Sequence, residues 1–60
     1  MKNFIEVTSR SGILRLVNIN HITAVYTDQD GDVCLYSTDT FVHVNESYSQ
    51  IKTLIEEAQQ

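Results

Sequence analysis

Three groups of residues in this chain have side chains of the kind that chemistry requires. The first is Asp28-Gln29-Asp30-Gly31-Asp32, whose alternating carboxylates could gather around a hard cation such as calcium. An EF-hand loop places its glycine after three alternating ligands and closes the sphere with a distal bidentate Glu. Here Gly31 precedes the third acid, and the flanking residues read as strands, so the segment is expected to be a solvated hairpin turn. The second group is His21, Cys34 and His43, which could meet at a transition metal. They fall in separate elements and lack short ligand-pair spacing, although Cys34 and His43 can share one face of neighbouring strands. Cys34 as a nucleophile would need an electropositive niche or a positioned base. Neither is legible in the sequence, and the expected role is that of a small apolar residue in an interface.

The third group is polar and aromatic. Asn18 and Asn20 are read as turn formers rather than catalytic amides, and Asn45-Glu46-Ser47 as an incidental sequon whose serine caps a helix. Tyr26, Tyr36 and Tyr48 could stack on bases or peptides. For Tyr36 the plainer role is a self-interface, and for Tyr48 it is helix packing. A glycine-rich phosphate loop, a Ser/His/Asp set and a pair of acids in a pocket are all missing. The chain is therefore expected to be no enzyme, with neither metal nor cofactor.

The elements that must position these residues follow from periodicity. Tyr48, Ile51, Leu54, Ile55 and Ala58 form one apolar stripe at helical spacing, with polar residues opposite. Ser47 and Gln50 have the spacing of a capping box, and Glu46 adds negative charge at the positive end of the helix dipole. Before the helix, strands are predicted over residues 4–8, 13–17, 22–27, 33–37 and 40–44. Turns are predicted at Ser9 to Gly12, Asn18 to His21, Asp28 to Asp32, and Thr38-Asp39. The predicted architecture is α+β: an antiparallel β-meander of about five short strands with one C-terminal amphipathic helix packed on one face.

Size and charge set the remaining limits. Sixty residues make a single domain, 1–60, with a thin core, and small folds of this kind often rely on a disulfide, a metal or self-association. One cysteine allows no internal disulfide, which leaves self-association. Eight acidic residues against four scattered basic ones give a net charge of −4, which argues against nucleic acid and against anionic membrane surfaces. No apolar run is long enough to span a bilayer and no secretory core is legible at the N-terminus, so a cytoplasmic setting without membrane insertion is expected.

One helix can cover only one face of the sheet. Alternation puts Ile5, Val7, Leu35, Val42 and Val44 towards the helix and turns Phe4, Cys34, Tyr36, Phe41 and His43 away from it. An open aromatic face of that extent is unusual on a monomer. These five residues are therefore expected to form a homo-oligomer interface, most simply a two-fold dimer.

Several segments carry a resemblance. "FIEVT" at residues 4–8, Gly12, "LVNINHI" at 16–22, "VCL" at 33–35 and "VHVNESYSQIKTLI" at 42–55 together resemble the FlbD-like family of small bacterial proteins. That resemblance implies the same strand–turn–strand beginning and helical end, no known enzymatic activity, and a possible link to motility. Thr38-Asp39, where an Asp-Gly turn is usual, and Arg15, where an apolar residue is common, depart from the family pattern. A shorter stretch, residues 16–54, is similar to the C-terminal part of LytTR-type DNA-binding domains, without the basic residues those domains set against DNA. The expected function is a small interaction or adaptor module, homo-oligomeric and bound to an unidentified protein partner. The alternative is a nucleic-acid-associated regulator resting on Arg10 and Arg15.

Overall fold

Ser47 decides where the helix begins. In the computed structural model, which describes residues 2–60, the Gln50 amide donates to Ser47 Oγ at 3.1 Å, and the Ser47 amide donates to Gln50 Oε1 at 2.8 Å. This capping box opens α1 (Tyr48–Ala58). Ile51 and Ala58 are buried, while Leu54 and Ile55 pack half-buried against the core. Tyr48 is 48 % exposed, so the stripe does not extend to it and the expected packing role is corrected. Glu46 has a different task from the one its position beside the dipole implied. Both its carboxylate oxygens accept from the Thr8 amide, at 2.9 and 3.1 Å, which ties the helix entrance to the first strand.

Five antiparallel strands precede the helix: β1 (Phe4–Thr8), β2 (Leu14–Asn18), β3 (Ile22–Thr27), β4 (Val33–Ser37) and β5 (Phe41–Val44). The second strand starts one residue later than its pattern indicated, because Ile13 closes the turn by accepting the Ser9 amide at 2.9 Å. Gly12 takes a φ of +87° in that turn, and Gly31 a φ of +86° in the acidic one, conformations that side chains disfavour.

The meander is interrupted. β1 and β2 form one sheet, and β3, β4 and β5 form another. Asn18 is the cause: its side chain accepts from the Asn20 amide at 2.9 Å and caps a short 3-10 turn over Ile19–His21, so the chain leaves β2 without pairing β3. The two sheets meet through the far end of β1 instead. Ser9 bridges Val44, the Asn45 amide donates to the Thr8 carbonyl at 2.8 Å, and the Arg10 amide donates to the His43 carbonyl at 3.1 Å. At the opposite end Asn3, with φ +69°, donates to the Ala58 carbonyl and accepts from the Ile19 amide.

Within this frame Ile5, Val7, Val17, Val33, Leu35, Val42, Val44, Ile51 and Ala58 make one apolar cluster. No helix among the described residues is long and apolar enough to cross a membrane. Two substitutions calibrate the fold in urea unfolding. Ser47→Ala, which removes the cap, is expected to cost about 1 kcal/mol. Leu35→Ala, at a site with no exposure, is expected to cost about 2–5 kcal/mol and to leave little of a domain this small folded. Equal effects from the two would contradict this division between helix start and core.

Candidate functional site

The three-stranded sheet has two different sides. Cross-strand registers Tyr26↔Cys34, Cys34↔His43, Ala24↔Tyr36 and Tyr36↔Phe41 put these residues on the side away from the core. Four rings run in a continuous row across that side. Tyr26 stacks on Tyr36 at 5.8 Å between centroids, Tyr36 meets Phe41 at 4.5 Å, and Phe41 and His43 meet nearly at right angles at 4.9 Å. Tyr26, Tyr36 and Phe41 are each close to 40 % exposed.

The five predicted interface residues are not all in one place. Tyr36, Phe41 and His43 are neighbours in the row. Cys34 shares their side of the sheet but is only 1 % exposed, so it supports the row from below and offers no surface of its own. Phe4 belongs to the other sheet and borders a shallow depression with Leu54, Glu57 and Ala58 near the end of α1. Tyr26 is the member the residue pattern left out, although its alternation with Ala24 along β3 is the signal that could have placed it there. Ile13, Leu14 and Leu16 are a second omission: all three are more than half exposed, and β2 is hydrogen-bonded to a strand on one side only.

At one end of the row lies a cluster of groups with coordinating atoms. Asp28 Oδ1 accepts from the amides of Asp30 and Asp32, at 3.0 Å each, and this Asx turn fixes the carboxylate plane. Asp28 Oδ2 is thereby turned to the sheet, where it accepts from Cys34 Sγ at 3.8 Å and lies 4.0 Å from His43 Nε2. His21 is elsewhere, with Nδ1 3.2 Å from Thr38 Oγ1, so it does not join Cys34 and His43. Asp28, Asp30 and Asp32 also bring carboxylate oxygens within 4.8 Å of one another, and the Asp28 and Asp32 carboxylates are engaged in hydrogen bonds. Asp32 accepts from Arg10 Nη1 at 2.7 Å, an exposed pair that also occupies one of the few cations.

Burial, reinforced by the Asp28 charge, pushes the Cys34 thiol up and keeps it protonated. It is therefore a poor nucleophile in this setting. Tyr26 is pushed up to about 12, chiefly by the neighbouring Tyr36 hydroxyl. The two larger surface depressions are lined by residues other than Asp28, Cys34 and His43, and one of them borders the acidic turn at Gly31 and Asp32. One of about 550 Å³ runs between Arg10, Asp32, Val44 and Tyr48, and another of about 470 Å³ between Glu6, Glu46, Thr53 and Leu54.

A raised thiol pKa gives a signed expectation. The folded thiol holds its proton to higher pH than the unfolded one, so its contribution is complete below the unfolded pKa and declines as pH rises past about 9. The urea midpoint should fall between about pH 8 and about pH 10, and should fall less in Cys34→Ala. An identical alkaline loss in both proteins would contradict the assignment. Comparison of the chain with protein-family models, with curated proteins and with solved structures gives no match.

Proposed function

We propose that this protein is a small non-enzymatic interaction module that associates with a second copy of itself through the outer side of the β3–β4–β5 sheet. The observation that carries the reading is the row of Tyr26, Tyr36 and Phe41, three adjoining rings left half-exposed on a domain of sixty residues. A chain this short has a thin core, and pairing across a two-fold axis buries such a face without adding an element. A second copy suits it because the face is built from aromatic side chains that stack on their like. The free edge of β2, with Leu14 and Leu16 beside it, is then left for a protein partner that adds a strand. The resemblance to FlbD-like proteins fits a non-enzymatic role of this kind and brings motility into the range of roles to test.

Rings in a row are also what single-stranded nucleic acid stacks upon, which favours the regulator as a second reading. The surroundings of this row oppose it. Asp28 stands at its end, and Arg10 is paired with Asp32 instead of facing a phosphate.

Sedimentation velocity at micromolar concentration tests the first reading. The protein is expected to sediment as a dimer, and Tyr36→Glu and Phe41→Glu as folded monomers with unchanged circular dichroism. A wild-type monomer throughout the micromolar range would overturn it. In a low-salt gel shift no retardation of single-stranded DNA or RNA is expected, and clear retardation lost on adding salt would instead establish the second reading.

A further inference from the structure

We infer that Asp28, Cys34 and His43 form a binding site for a borderline-soft divalent cation of the zinc class. The three groups come from the acidic turn, β4 and β5, and their ligand atoms all lie within 4.8 Å of one another. Zinc–sulfur and zinc–nitrogen bonds of about 2.3 and 2.0 Å put neighbouring ligands of a tetrahedral shell roughly 3.3–3.8 Å apart. The separations of 3.8 Å from Asp28 Oδ2 to Cys34 Sγ and 4.0 Å to His43 Nε2 need only a small contraction to meet that shell.

What sets this cluster apart from a chance meeting of polar groups is how each ligand is held. Asp28 Oδ1 is fixed by two backbone amides, which aims Oδ2 at the other two groups, the kind of outer support that metal-binding carboxylates receive. Cys34 and His43 are direct partners in the β4–β5 ladder, so their side chains leave the sheet together on one side. His43 packs nearly perpendicular to the Phe41 ring, which restricts the imidazole while leaving the side chain 38 % exposed. Sulfur, imidazole and one carboxylate make a mixed donor set that suits zinc and is too soft for calcium or magnesium. Three protein ligands leave a fourth position for water. On binding, the Cys34 thiol releases its proton to solvent and the thiolate bonds to the metal. Atoms of one subunit suffice for all of this, so the inference does not depend on self-association.

The test is titration of the chelator-treated protein with Co²⁺, followed by competition with Zn²⁺. One equivalent of Co²⁺ is expected to produce a thiolate-to-cobalt charge-transfer band in the near ultraviolet, which Zn²⁺ then removes. Changing an outer-shell partner of a metal site already costs about 10–100-fold in affinity, so removing a ligand through His43→Gln or Asp28→Asn should weaken binding by at least about 100-fold. Both replacements sit at partly exposed positions, and circular dichroism will show that each variant is folded. Asp30→Asn, in the same turn but outside the cluster, should bind as the wild type does. Absence of the near-ultraviolet band would overturn the inference. So would Co²⁺ affinity unchanged in folded His43→Gln, or affinity lost in Asp30→Asn instead.

Discussion

A strand presents its side chains alternately to two sides, and this chain has one helix to lay against them. That imbalance shapes the molecule. Val33, Leu35, Val42 and Val44 point inward to meet Ile51 and Ala58, and they are buried almost completely. The residues between them, Cys34, Tyr36, Phe41 and His43, are thereby committed to the other side. Leu35 and Tyr36 are adjacent in sequence yet lie at opposite extremes, one with no exposure and the other with 39 %. A shift of one residue in the register of β4 would exchange the two sides, so burial of Leu35 holds the aromatic row outward.

The joint between the two hairpins supplies the second constraint. A chain whose first two strands do not pair with the rest would be loose without it. Thr8, Ser9 and Arg10 meet Glu46, Asn45, Val44 and His43 through backbone and side-chain hydrogen bonds, and Arg10 reaches on to Asp32. Of these contacts the Arg10–Asp32 pair reaches the acidic turn and ties it to the first hairpin. Within the turn the amides of Asp30 and Asp32 hold Asp28 beside Cys34 and His43.

Much of the architecture was legible because its signals are local. The 3.6-residue stripe of Ile51, Leu54, Ile55 and Ala58, the Ser47–Gln50 box and the alternation in β1, β4 and β5 each depend on neighbours in sequence. Non-local relations were harder to read. The pairing of Thr8–Arg10 with His43–Asn45 joins segments more than thirty residues apart, and no periodicity announces it. The same holds for the cluster at the end of the row. Cys34 and His43 could be placed on one face by counting, and the turn at Asp28 to Asp32 was legible, but no pattern of polar residues says that its hydrogen bonds aim Asp28 Oδ2 at the sheet. Phe4 shows the converse error: it has the alternation of an outward aromatic, but its strand belongs to the separate sheet.

The central proposal is that the outer side of the β3–β4–β5 sheet is covered by the same side of a second chain. An isotope-filtered nuclear Overhauser experiment on a mixture of ¹³C-labelled and unlabelled protein reads that contact directly. Intermolecular cross-peaks among the ring protons of Tyr26, Tyr36 and Phe41 are expected. Intermolecular cross-peaks confined to Leu14 and Leu16 of β2, or none from a sample whose rings stay accessible to a soluble paramagnetic probe, would contradict it.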